Sequence, residues 1–176
     1  MHRALFLALL VPAIATAQSN RGGRGGMAVP GLAGGAPQQI IASDVPVLEG
    51  MSHAVKVGLT VYVSAMVPLD STGKLVGAGD LAGQTRQALT NLGEVMRAAR
   101  GVPGDVVRAT VYVRDLTADK VLIVRREVLD ALDHASPPAL TIVGVSAFAE
   151  PGIDVMIEAT GQLRSEFPDK SRMGKP

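Results

Sequence analysis

The chain has no cysteine and no tryptophan, and it has only two tyrosines and three phenylalanines among 176 residues. Without a thiol there is no disulfide framework, thiolate nucleophile, cysteine-ligated zinc or lipid attachment at an N-terminal cysteine. Three histidines, with no paired carboxylates at ligand spacing, are too few for a metal cage. The Gly77-x-Gly79 pair is not followed by Gly-Lys-Ser/Thr, so it is no phosphate loop, and neither metal nor cofactor is expected. Charge of one sign is also missing: 17 basic against 16 acidic residues leave a net +1. Between Gln39 and Leu163 the balance is 10 basic against 14 acidic, a net of −4. That is the wrong sign for a nucleic-acid binder, whose affinity comes from neutralising phosphates.

No apolar run is long enough to span a membrane. Ala4 to Ile14 is the longest, it is interrupted by Pro12, and a spanning helix needs ~20 residues. It follows a short basic start at Arg3 and precedes Ala15-Thr16-Ala17, a small-x-small cleavage pattern, so residues 1–17 are expected to be a signal peptide. Cleavage after Ala17 leaves a chain starting at Gln18, periplasmic or secreted, with no stable membrane insertion. Residues 18–38 hold seven of the 20 glycines and no hydrophobic period, the composition of a flexible linker. Its repeated Arg-Gly-Gly has two arginines and no aromatic partner, too little for single-stranded RNA.

Residues 39–163 alternate between strand and helix periods, which predicts one α+β domain. Ala54 to Val57 and Leu59 to Ser64 read as strands joined at Gly58, with a further short strand around Ile40-Ile41. Asp80 is placed to cap a helix carrying Ala88, Leu92, Val95, Met96 and Ala99 at helical spacing and ending at Gly101 and Pro103. Val106 to Val113 alternates, with Val107, Ala109, Val111 and Val113 expected inward and Arg108, Thr110 and Tyr112 outward. A second helix starts at Thr117 or Asp119 and runs to about His134. Leu140 to Val145 and Asp154 to Gln162 complete the strands, and residues 164–176 form a polar tail. Two helices cover one sheet face, which leaves the other for a partner and predicts a homo-oligomer.

Several segments in this order resemble the RidA/YjgF family. They are Ser52-His53-Ala54-Val55-Lys56-Val57-Gly58, Val61-Tyr62-Val63-Ser64, Val67-Pro68-Leu69-Asp70 and Gln84-Thr85-Arg86-Gln87-Ala88-Leu89-Thr90-Asn91-Leu92. Asp105-Val106-Val107, Thr110-Val111-Tyr112-Val113, Pro138-Ala139, Val143-Gly144-Val145 and Ile157-Glu158-Ala159 follow. The resemblance implies a chorismate-mutase-like fold, a mixed sheet with two helices on one face, and a homotrimer with a ligand cleft at each subunit interface. It also implies hydrolysis of reactive enamines and imines to 2-keto acids and ammonia. The arginine of a Pro-Ala-Arg-Thr motif would grip the substrate carboxylate there through two parallel hydrogen bonds.

In this chain the motif reads Pro138-Ala139-Leu140-Thr141, so the arginine position holds Leu140, which cannot donate to a carboxylate. The family tyrosine before Ser52 is Met51, the family glycine after Ser64 is Ala65, and His53 replaces a glutamine. Glu158 matches the family's acidic residue and is the candidate acid or base. The expected ligand cleft is thus Met51, Ser52, His53, Ser64, Ala65, Leu140 and Thr141, with Glu158 as the catalytic candidate. Arg108, Arg114, Arg125 and Arg126 are alternative anion grips.

Three readings stay open. The chain is a small-molecule-binding relative without the usual deaminase activity, an active deaminase working through Glu158 and another cation, or an endoribonuclease, which the net −4 of the body disfavours.

Overall fold

A computed structural model describes residues 36–47, 50–132 and 136–164, all within one compact unit, 33–176. The expected signal peptide, nearly all of the expected linker, the tail beyond Arg164 and His134 lie outside the described residues. Six strands form one sheet: β1 (Gln38–Ile40), β2 (Ala54–Val57), β3 (Thr60–Met66), β4 (Val106–Arg114), β5 (Ala139–Val145) and β6 (Val155–Gln162). Two helices, α1 (Leu81–Ala98) and α2 (Ala118–Ala131), complete the fold. The strand order is β1-β2-β3-β6-β4-β5, antiparallel except for the parallel pair β4–β5, whose crossover contains α2. This is the mixed sheet with two helices that the family resemblance implies, in the element order read from the sequence. The short expected strand is present, and it begins at Gln38, the last residue assigned to the linker.

β2 and β3 form a hairpin whose turn begins at Gly58, with φ +57°, a conformation that costs glycine little. Helix α1 starts after Asp80 as expected, although the Asp80 carboxylate makes no capping hydrogen bond. At the other end Arg100, not Gly101, takes the left-handed conformation, with φ +69°. The Gly101 amide then closes on the Met96 carbonyl at 2.8 Å. Gly101 is needed for a different reason: a Cβ there would stand 2.6 Å from Leu163 Cδ2. On α2 the Thr117 hydroxyl accepts from the Lys120 amide at 3.4 Å, and the helix ends at Ala131.

One face of α1 buries Ala88, Leu92, Val95 and Met96 against Val61, Val111, Val155 and Ile157 of the sheet. Each large side chain removed from water in this way stabilises the fold by about 1.5–3 kcal/mol. The alternation of facing expected of β4 holds from Arg108 onward, although Thr110 is buried at 6% exposure, and it fails at Val107. Val107 is 50% exposed and Val106 is buried in its place. The register supplies the reason: Val106 pairs with Gly161 and Arg108 with Thr160, so Val107 is an extra residue in a β-bulge.

Buried polar groups fasten the loops to this core. Gln84, fully buried, donates from Nε2 to the Gly152 carbonyl at 2.8 Å and accepts from the Asp154 amide at 2.7 Å. Asn91 donates from Nδ2 to the carbonyls of Val67 and Leu69, both at 2.9 Å. Between the helices, Glu127 of α2 receives Arg126 at 2.9 Å and Arg86 of α1 at 3.2 Å. The Arg126 hydrogen bond is the largest influence on the Glu127 carboxyl. With Arg86 it holds the group below its ordinary 4.5, against the upward push of burial.

A carboxyl lowered on folding contributes stability that is present above its unfolded value and lost as pH falls through the folded one. Melting temperatures measured from neutral pH down through 4.5 and below are therefore expected to drop. In Glu127→Gln that acid-side drop should be shallower, with stability at neutral pH already reduced.

Candidate functional site

The β3–β6 register gives the site its first element. Val63 pairs with Ala159 and Met66 with Ile157, so β3 advances three residues while β6 advances two. The resulting bulge at Ser64-Ala65 turns both residues outward, opposite Glu158. Ser64 donates from its amide to the His53 carbonyl at 2.9 Å and from Oγ to the Ser52 carbonyl at 2.9 Å, which ties the bulge to the segment before β2. Met51, Ser52, His53, Ser64 and Ala65 come together around a hollow of about 30 Å³, with Val67 on its wall. That space holds about one water molecule.

His53 supports this hollow. It is 5% exposed, its Nδ1 accepts from the Ala42 amide at 3.0 Å, and its Nε2 lies 3.1 Å from the Pro46 carbonyl. An acceptor role at Nδ1 and a donor role at Nε2 assign the neutral Nε2–H tautomer. The imidazole thus joins the chain before β2 to the sheet. Met51, 60% exposed, stands at the rim.

The second element is the sheet face turned away from the helices. Thr110 of β4 pairs with Glu158 of β6 on one side and with Thr141 of β5 on the other, so these three share that face. Next to them run Tyr62, Thr160 and Arg108, again in register across β3, β6 and β4. Tyr62, Arg108, Thr110, Glu158 and Thr160 line an open cavity of about 220 Å³. Glu158 Oε1 accepts from the Tyr112 hydroxyl at 2.9 Å.

Leu140 is placed otherwise. It pairs with Ala109, which pairs with Ala159, and all three belong to the helix-covered face, where Leu140 is partly buried against the core. Within one chain Leu140 and Glu158 therefore project from opposite faces of the sheet. Of the alternative anion grips, Arg114 is paired with Asp154 and Arg126 with Glu127, whereas Arg108 reaches the Glu158 cavity. Tyr112, the partner of Glu158, carried no sequence signal beyond its outward position on β4, because the pairing depends on cross-strand register. Among the described residues no group of three His, Cys, Asp or Glu is placed to hold a metal ion, and no helix is long and apolar enough to cross a membrane.

Comparison with known proteins agrees with this architecture. Residues 43–162 match the family model described as endoribonuclease L-PSP. A RutC family protein of Sulfurisphaera tokodaii is 42% identical over 65 residues, which make up 37% of this chain and 52% of that protein. The chain thus aligns with about half the length of that relative. The 2-iminobutanoate/2-iminopropanoate deaminase of Mus musculus is 37% identical over 109 residues, 61% of this chain and 77% of that one. Among solved structures, RidA from the Antarctic bacterium Psychrobacter sp. is similar with a TM-score of 0.64 at 30% identity. That alignment covers 72% of this chain and 99% of the other.

The Tyr112–Glu158 hydrogen bond raises the Tyr112 phenol above its ordinary 10.0, with burial and the Glu158 charge adding to the effect and Arg108 opposing it. A near-ultraviolet titration of the two tyrosines should therefore show one phenol ionising late. In Glu158→Gln that phenol should move to lower pH, and in Tyr112→Phe the late step should vanish.

Proposed function

This chain belongs to the endoribonuclease L-PSP family, which includes the RidA and RutC proteins, and we propose that it acts as an exported trimer. In this reading the trimer binds a small molecule in its intersubunit clefts and lacks the usual 2-imino acid deaminase activity. One observation carries the proposal: the position of the family guanidinium holds Leu140, packed partly buried against the core. A leucine offers a carboxylate no hydrogen bond, and placing the anion beside it costs free energy. The hollow between Met51 and Ala65 supports the same reading, because a thioether and a methyl group stand there in place of the tyrosine and glycine of the RidA pattern. Export is supported by the leader at residues 1–17, and assembly by the sheet face left uncovered by α1 and α2.

In this reading Glu158 contacts the ligand, and Tyr112 fixes the orientation of its carboxylate. That same hydrogen bond is what favours the second reading, an active deaminase in which Glu158 activates water. RNA cleavage fits the site poorly, because a net −4 body repels phosphates.

Imine hydrolysis decides between the first two. A 2-imino acid is generated in situ and trapped by semicarbazide, with the purified protein, Leu140→Arg and Glu158→Gln compared. The natural protein should leave the trapping yield unchanged and Leu140→Arg should reduce it. Clear hydrolysis by the natural protein, abolished in Glu158→Gln, establishes the deaminase instead. Light scattering at micromolar concentration should give a mass of three chains, and a monomer would remove the basis for an intersubunit cleft.

A further inference from the structure

Residues 41–47 follow β1 without forming helix or strand, yet Ala42 and Val45 among them are buried. Val45 and Pro46 also form one wall of the Met51–Ala65 hollow. What fastens this segment to the sheet is the ring of His53, the residue before β2. Its Nδ1 accepts from the Ala42 amide at 3.0 Å, and its Nε2 donates to the Pro46 carbonyl at 3.1 Å. The His53 backbone is anchored separately, its carbonyl accepting from the Ser64 amide at 2.9 Å.

Both contacts together require one state of the ring. A backbone amide can only donate and a backbone carbonyl only accept, so Nδ1 must keep its lone pair and Nε2 must carry the proton. The imidazolium has a proton on each nitrogen. Its Nδ1–H then faces the Ala42 N–H, two donors with no acceptor between them. The Pro46 contact survives protonation and the Ala42 contact does not. Ala42 is 5% exposed, so its amide reaches water as a replacement partner only if the segment moves.

No neighbouring charge offsets this loss among the described residues. From β3 and the turn after it the hollow receives Ser64, Ala65, Met66 and Val67, and its other walls are Val45, Pro46, Met51 and Ser52, all uncharged. No ion pair among the described residues involves His53. Asp44, on the same segment, is exposed, and Glu49 lies outside the described residues.

We infer that His53 is an acid-sensitive latch, which holds residues 41–47 in place while the ring is neutral and releases the Ala42 end when the ring is protonated. Histidine side chains change charge between about pH 8 and pH 5, and the direction is fixed: contact present at the upper end, lost as the pH falls. Glutamine, the residue of the RidA pattern here, keeps an acceptor and a donor on one amide throughout that range. The histidine therefore turns a permanent fastening into a titratable one. Release frees the wall made by Val45 and Pro46, so the latch sets the size of the hollow whatever the hollow binds. In the exported chain proposed above, the surrounding medium sets its charge.

The test is amide hydrogen exchange of the purified protein at about pH 8 and about pH 5, normalised to the intrinsic rate at each pH, with His53→Gln, Asp44→Asn and Glu49→Gln beside it. In the natural protein the protection of the Ala42 amide should fall at least tenfold toward the acid side, while the amides of β6 keep theirs. In His53→Gln that fall should be absent, and in the two carboxylate variants it should remain. Nitrogen NMR of the ring at the upper pH should find the His53 proton on Nε2. The inference is overturned if Ala42 protection does not change, if β6 loses as much, if the fall persists in His53→Gln or vanishes in either carboxylate variant, or if the proton sits on Nδ1. Imine hydrolysis by the natural protein would overturn the functional reading above and leave every one of these outcomes as decisive as before.

Discussion

Strand β6 is hydrogen-bonded along both edges, to β3 on one side and β4 on the other, and its alternation divides the molecule into a core and a working surface. Val155, Ile157 and Ala159 point into the packed layer under α1, so Met156, Glu158 and Thr160 have to point away from it. A slip of one residue would send Glu158 into the hydrophobic core, where an unpaired carboxylate costs several kcal/mol. The burial of Ile157 and Ala159 is thus what holds Glu158 on the open face. Site and core are set by one register.

Two β-bulges modify that register without disturbing it. At Ser64-Ala65 the extra residue lets two consecutive side chains leave the sheet opposite Glu158, and hydrogen bonds to Ser52 and His53 fix the departure. At Val107 the extra residue takes up a register shift at the start of β4, so that Val106 is buried in its place while Arg108, opposite Thr160, shares a face with Glu158. The loops around the site are fastened from behind by buried amides: Asn91 holds Val67 and Leu69, and Gln84 holds Gly152 and Asp154. Satisfied polar groups at these depths are costly to remove, and they impose geometry on segments with few apolar contacts of their own.

The chemistry of the site follows from which charges are already engaged. Arg86 and Arg126 are committed to Glu127, and Arg114 to Asp154, so these guanidinium groups join elements of the fold. Among the described residues Arg108 has no such partner, and Glu158 is oriented by a phenol with no cation paired to it. Leu140 stands on β5 where the RidA pattern has its arginine, on the helix-covered face, whereas Arg108 and Glu158 share the open one.

The sequence by itself determined the element order, a glutamate at position 158 of a strand and a leucine at position 140, and it singled out the residues from Met51 to Ala65 that the structure brings together. Hydrophobic period and local turn chemistry are properties of short segments, and the chain carries them without knowing its partners. It could not determine that Val107 turns outward, that Arg100 and not Gly101 takes the left-handed conformation, or that His53 bridges Ala42 and Pro46. Nor could it pair Tyr112 with Glu158 or separate Leu140 from Glu158 across the sheet. Those outcomes depend on register between strands distant in the chain and on where backbones approach closely, as Gly101 does to Leu163. Only the packed tertiary structure decided them, because a bulge or a cross-strand hydrogen bond has an energy only once both strands are in place.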